Sequence, residues 1–242
     1  MAATLWPPHF FVFPFRDTPS RFTYTALMIT YTKYEQSAFT LQINDSVIAV
    51  DFGTLASEET LTQIGTPAAS VVSHIHKDHF LLENLARFKA PIYTVSEVVA
   101  AVGTTDLQVT TIAEGQTLPI TGTPFELRAT ASNHGTFISA PVENVGYVLS
   151  AFGKSVYFLG DMAISTPPPA GSFDITLIPI GNRGYVFNAE QALSHLRTIE
   201  HPGIVIPIHY DHGDPTQVET FQELIGDTYD LRVMKTGKSL TL

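Results

Sequence analysis

Apolar positions in this chain follow two periods, and the switch between them marks out the elements. Between Ser37 and Gly53, "SAFTLQI" and "SVIAVDFG" are β-rich runs separated by Asn44 and Asp45, a pair suited to a tight hairpin turn. "ASVVSHIH", from Ala69, is an apolar strand leading straight into histidines, and "FLLENLARF" after it has helical spacing. "APIYTVS" predicts a strand, and "EVVAAVG" predicts a short helix stopping at Gly103. "FELRATASNH" predicts a strand ending on His134. From Asn144 to Asp161, "NVGYVLSAFGKSVYFLGD" predicts a hairpin that turns at Phe152, Gly153 and Lys154. "FDITLIPIG" and "GIVIPIHY" are unbroken apolar runs, as expected of strands covered on both faces. "NAEQALSHLRTI" and "PTQVETFQELIG" are amphipathic helices beside them, and "LRVMKTGKSLTL" predicts a closing pair of short strands. An α/β fold of two sheets with helices outside, a four-layer αββα sandwich, accommodates this order.

Residues 1–27 lack either period. They are rich in aromatic residues, Pro and Thr, and Pro7, Pro8 and Pro14 break the apolar run that a secretory signal or a bilayer span requires. The expected division is an N-terminal arm over 1–27, either poorly ordered or a leader from an upstream start, and one domain over 28–242. An arm that docks on its own domain or on a partner subunit is the third reading.

Composition narrows the chemistry. Of 242 residues, 44% are hydrophobic and 15% charged, which is ordinary for a globular enzyme. A net charge of −10 argues against nucleic acid as a partner. No cysteine is present, so disulfides, thiolate nucleophiles and iron–sulfur clusters are excluded, and any metal must be held by nitrogen and oxygen. The absence of cysteine fits the cytoplasm, and nothing in the pattern predicts a membrane partner.

The densest chemistry lies at Ser73 to Phe80, "SHIHKDHF". Neutral imidazoles crowded together bind borderline divalent metals. In an extended segment His74 and His76 project to the same side, while Asp78 and His79 start the following helix and turn toward a second point. Four ligands in so tight a loop do not all reach one ion, so the arrangement predicts two. Further candidates stand at strand ends: His134 in "SNHGTF", Asp161 in "FLGDM" and His209 in "PIHYDH". Each has a plainer reading as a turn cap or loop residue, and His212 rivals His209 because "HYDH" echoes "HKDH". His9, His195 and His201 join no constellation, and His195 falls in a helix pattern as a surface or packing residue.

This ordered set, HxHxDH, then a His, an Asp in "GD" and a final His, with Asp51 of "VIAVDFG" ahead of it, resembles the metallo-β-lactamase superfamily. Within it the chain is similar to the metal-dependent hydrolases that include ascorbate-6-phosphate lactonase-like proteins, through "YEQSAFTLQI", "DITLIPIGN", "FNAEQAL" and "VIPIHY". The resemblance implies that His74, His76 and His134 hold a first metal, that Asp78, His79 and His209 hold a second, and that Asp161 bridges them. It gives Asp51 the role of orienting the histidine loop. Zinc is the first choice of metal, with manganese and iron as alternatives.

Two adjacent cations lower the pKa of a shared water from about 15.7 toward about 7, supplying a metal-bound hydroxide at neutral pH. Asp78 and Asp161 are then the catalytic carboxylates, with Asp78 relaying a proton to the leaving group. The expected function is dinuclear metal-dependent hydrolysis of an ester or lactone bond in a small metabolite. The alternatives are a phosphodiesterase acting on nucleotides or phospholipid headgroups, and a non-catalytic metal-binding module. Asn182, Arg183 and Tyr185 are candidates to contact an anionic substrate, Arg183 as a planar fork, and Tyr210 is a candidate donor to an oxyanion. Two departures stand out: Gln36 occupies a position where many members have histidine, and "DFGTLA" lacks their "DP".

Overall fold

The computed structural model describes residues 28–135, 142–181, 184–212 and 214–242. The expected arm over 1–27 lies outside the described residues, as do Asn182 and Arg183.

One sheet is built from β1 (Thr30–Lys33), β2 (Phe39–Ile43), β3 (Ser46–Val50), β4 (Ala69–Val72), β5 (Ile92–Thr94), β6 (Val109–Thr111) and β14 (Ser239–Thr241), in the order β14-β1-β2-β3-β4-β5-β6. The other has β7 (Thr117–Pro119), β8 (Glu126–Ala131), β9 (Val145–Ala151), β10 (Lys154–Phe158), β11 (Ile175–Pro179), β12 (Ile204–Ile208) and β13 (Asp230–Leu231), in the order β13-β12-β11-β10-β9-β8-β7. The hairpin turns fall where Asn and Gly predict them. Asn44 (φ 51°) helps turn β2 into β3, and Phe152 (φ 51°) with Gly153 (φ 76°) turns β9 into β10. Helices α1 (Glu58–Ile64), α2 (Leu82–Phe88) and α3 (Ser96–Val102) carry the parallel crossovers of the first sheet. In the second sheet α4 (Ala189–Leu196) and α5 (Thr216–Ile225) do the same. Asn188 and Gln191 close a capping box at the start of α4.

The sheets face each other across one apolar core. Phe39 of β2 meets Phe158 of β10 edge to face, with ring centroids 5.4 Å apart, and Tyr31 packs on Phe39. A second cluster, including Leu193, Leu196 and Phe221, seats α4 and α5 on the second sheet, and a third around Leu61 and Phe88 seats α1 and α2 on the first. Four layers result, as the α/β reading requires.

Three expectations change. The last two strands do not pair with each other: β13 joins β12 in parallel and β14 joins β1 antiparallel, so each covers the edge of a different sheet. Asp78 and His79 do not begin a helix; they lie in a turn closed by His79 N–H and Phe80 N–H donating to His76 O at 2.9 and 2.8 Å, and α2 starts later. His134 lies three residues beyond the end of β8 rather than on it. Helix α1 escapes the pattern because only Thr60 and Leu61 of its residues are buried, which leaves little apolar periodicity, and Ser57, whose side chain accepts from Thr60 N–H, caps it.

Candidate metal centre

Topology brings the candidate ligands to one end. Asp51 follows β3, His74 and His76 follow β4, His134 follows β8, Asp161 follows β10, and His209 follows β12, so five loops open into one cleft with the turn after β1 beside them. Glycine permits the close approaches. A Cβ on Gly53 would lie 2.2 Å from the Asp78 carbonyl carbon, and one on Gly160 (φ 65°) would lie 2.6 Å from Val145 O.

Two groups of donor atoms form there: His74, His76 and His134 in one, and Asp78, His79, Asp161 and His209 in the other. In the first, His76 Nδ1 lies 3.0 Å from both His74 Nε2 and His134 Nε2. Adjacent donors of a tetrahedral zinc site with bonds near 2.05 Å stand about 3.3 Å apart, so this spacing is compatible with ligands as well as with hydrogen bonds. In the second, His79 Nε2 and His209 Nε2 lie 3.4 and 3.5 Å from Asp78 Oδ2. Asp161 Oδ2 lies in this second group, 3.2 Å from His79 Nε2 and 3.1 Å from His209 Nε2, and also stands 3.4 Å from His134 Nε2 of the first.

Hydrogen bonds set which ring nitrogens carry lone pairs. Asp51 Oδ1 accepts from Ser73 N–H at 2.8 Å, and Oδ2 faces Ser73 Oγ at 2.6 Å and His79 Nδ1 at 2.7 Å. A carboxylate only accepts, so His79 carries its proton on Nδ1 and the Ser73 hydroxyl points at Asp51. Ser73 Oγ is then free to accept from His74 Nδ1, 2.9 Å away. In its neutral form each of these imidazoles turns a bare Nε2 toward the centre. His79 Nε2 and Asp161 Oδ1 are buried without a hydrogen-bond partner, an arrangement that water or a cation relieves. Asp51 itself holds φ 56°, a left-handed conformation that Asp tolerates.

The field around the second group favours positive charge. Burial opposes charge on His79, but Asp161 and Asp51 outweigh it and push its pKa well up. His209 is raised to about 9: burial works against the charged ring, and Asp161 and Asp78 overcome it. Burial likewise opposes ionisation of Asp78 and Asp161, yet His209 and His79 hold both carboxyls below their ordinary range. On the other side, burial and neighbouring imidazoles depress His74 and His76 and keep them neutral, as ligands must be.

The cleft is a cavity of about 650 Å³, lined by ligands and by Thr54, Leu55, Ile75, Lys77, Tyr185 and His212. Tyr185 therefore stands where substrate contact was expected. Tyr210 does not line this cavity: its hydroxyl donates to Met234 O at 2.8 Å and its ring lies under Lys33 Nζ at 5.1 Å, so the expected oxyanion role does not fit. Of the two late histidines, His209 joins the donor group and His212 lies on the cavity wall.

Pattern reading missed the support beneath His209. Lys33, fully buried on β1, pairs with Asp211 at 2.5 Å and donates to Tyr34 O, while Asp211 also accepts from Gln36 N–H at 2.9 Å. His209 N–H donates to Gln36 O at 3.1 Å. The available signal was Lys33 two residues after Tyr31, on the inward face of β1.

The sequence model of the beta-lactamase superfamily domain matches residues 30–209, which contain every one of these ligands. The chain belongs to that superfamily. A UPF0173 metal-dependent hydrolase of Pyrococcus abyssi is 28% identical over 104 residues, covering 40% of this chain and 45% of that protein. The chain thus matches about half the length of that relative. One from Thermococcus kodakarensis is 24% identical over 185 residues, 71% of this chain and 80% of that protein. Among solved structures, a metallo hydrolase from Ignicoccus hospitalis superposes with a TM-score of 0.71 at 22% identity, covering 89% of this chain and 98% of its own. The metallo-beta-lactamase fold protein YhfI from Bacillus subtilis gives 0.71 at 17%, covering 89% and 99%. These superpositions support the fold. Among the described residues, no helix is long and apolar enough to cross a membrane.

Proposed function

We propose that this chain is a dinuclear metal-dependent hydrolase acting on an ester or lactone bond of a small metabolite. The observation that carries the reading is that Asp161 Oδ2 stands within 3.4 Å of donors from both groups, with His79 Nε2 and Asp161 Oδ1 buried without a hydrogen-bond partner. In it, His74, His76 and His134 hold one cation, Asp78, His79 and His209 hold the other, and Asp161 lies between them. When bound, two divalent cations (zinc, with manganese or iron as alternatives) supply Lewis acidity that polarises the scissile carbonyl and acidifies water.

The chain's residues do the rest. Asp51, through Ser73 and His79, fixes the tautomers that keep Nε2 of His74 and His79 free. Asp78 is the more exposed of the two central carboxylates and reaches the cavity, so it is placed to take a proton and return it to the leaving group. Leu55, Ile75 and Tyr185 give the cavity apolar walls that displace bulk water around a small substrate, while Lys77 and His212 supply polar positions. Those two positions also suit a phosphoester, which keeps a phosphodiesterase as the second reading.

The test is elemental analysis of natively purified protein, then assays on lactone, ester and phosphodiester panels before and after chelation. Two equivalents of metal and chelator-sensitive lactone or ester turnover are expected. Metal without turnover on any panel would favour the non-catalytic module, and full activity without metal would remove the mechanism.

A further inference from the structure

Gln36 lies in the turn after β1, only 5% exposed and in the left-handed conformation (φ 57°), and it lines the cavity. Its carboxamide reaches the second donor group. Nε2 stands 3.0 Å from His209 Nε2 and 3.4 Å from Asp78 Oδ2, while Oε1 is buried with no partner. These separations match those among the ligands themselves, since His209 Nε2 is 3.1 Å from Asp161 Oδ2 and His79 Nε2 is 3.4 Å from Asp78 Oδ2. Neighbouring donors of an octahedral cation with bonds near 2.1 Å stand about 3.0 Å apart.

With the amide nitrogen inward, an N–H faces a ring nitrogen whose lone pair a cation would need, and the carbonyl oxygen goes unsatisfied. Amide oxygen and nitrogen are nearly isosteric, so a half-turn about the terminal bond exchanges them without moving the chain. The backbone on either side is already clamped, by Gln36 N–H to Asp211 and by His209 N–H to Gln36 O. The side chain is thus held at ligand distance by the same turn that supports His209.

We propose that Gln36 is a ligand of the second cation, presenting its carboxamide oxygen beside Asp78 and His209 when that cation is bound. This rests on the dinuclear reading above. It gives the second site five protein donors, three of them oxygen, against three imidazoles and one shared carboxylate oxygen at the first. Oxygen-rich sites with more than four donors favour harder cations such as manganese(II) over four-coordinate zinc, so the two positions should differ in metal preference.

The experiment compares wild type, Gln36→Ala and Gln36→Glu, each shown by thermal melting of the metal-free protein to be folded. Stepwise affinities for manganese(II) and zinc(II) are measured by calorimetric competition, and visible spectra are recorded with cobalt(II). Wild type should bind two ions, with the second cobalt giving the weak absorption of a five- or six-coordinate ion. Gln36→Ala should weaken the second manganese at least about 10-fold, leave the first ion unchanged and give the intense cobalt bands of lower coordination. Gln36→Glu, which restores an oxygen, should recover affinity and spectrum. If wild type binds two ions and Gln36→Ala leaves second-site affinity and spectrum unchanged, the ligand role is wrong and the dinuclear reading survives. Equal weakening in both variants would overturn it in favour of a packing role. A wild type that binds fewer than two ions overturns both.

Discussion

Replacing Asp51 by Asn changes one atom and should reach both halves of the centre. Asn tolerates φ 56° as Asp does, so the turn after β3 is kept, and the remaining oxygen can still accept from Ser73 N–H. An NH₂ group at the Oδ2 position, however, would meet two donors, Ser73 Oγ–H at 2.6 Å and His79 Nδ1–H at 2.7 Å. The low-energy response is for both to reverse. His79 would accept at Nδ1 and carry its proton on Nε2, and Ser73 would donate to His74 Nδ1, moving that proton to Nε2 as well. Each ring would then present N–H where a cation needs a lone pair. Loss of such a supporting partner lowers metal affinity about 10- to 100-fold, or about 1.4–2.7 kcal/mol. Two charge-assisted hydrogen bonds, each about 1.5–3 kcal/mol, also become neutral ones, so the metal-free protein should lose at least about 2 kcal/mol. Affinity is read by titration against a chromophoric chelator, and the tautomers by ¹⁵N imidazole NMR. Wild-type affinity at both sites, with His79 still protonated on Nδ1, would refute the relay.

Gly53→Ala places a methyl group 2.2 Å from the Asp78 backbone; denaturant unfolding should show a loss of about 3 kcal/mol or more, and native-affinity metal binding would disprove the contact. Lys33→Met removes the partner of Asp211, whose side chain is 22% exposed; the loss should be about 2–3 kcal/mol, less than for a fully buried pair, with weaker binding of the second metal. His195, buried on α4 beside Ser165 and Phe187, has its pKa lowered by burial to about 4 from 6.5. Its neutral form is favoured in the fold, so its stabilising contribution is complete above pH 6.5 and is lost as pH falls toward 4, by up to about 3 kcal/mol. Urea denaturation of wild type and His195→Gln from pH 7 to 4.5 should show a flatter pH dependence in the variant, and parallel curves would count against the assignment.

The site was legible because its ligands punctuate apolar runs. "ASVV" and "IVIPI" read as apolar strands and "KSVYF" as the second strand of a hairpin, and the polar residues at their ends fall in loops at one edge of the sheets. His195 was read as a surface or packing residue; burial and its contact with Phe187 make it a packing one. Tyr210 was misjudged because adjacency to His209 in the chain says nothing about where a ring points. The left-handed His209 (φ 67°) and the pull of Met234 O turn the next side chain away from the cavity. Proximity in the chain predicts that the final two strands pair with each other, but each pairs with the edge of a different sheet.

Local chemistry, then, was written in the chain: period, turn residues, and the kinds of atoms available to hold a cation. Lone-pair direction, the Lys33–Asp211 clamp and the reach of Gln36 into the second donor group emerged only on folding. Such features depend on distances between segments up to 178 residues apart, as Lys33 and Asp211 are, and no one-dimensional spacing encodes them. Burial then decides their strength, because an unpaired polar atom costs little in water and a great deal inside a protein.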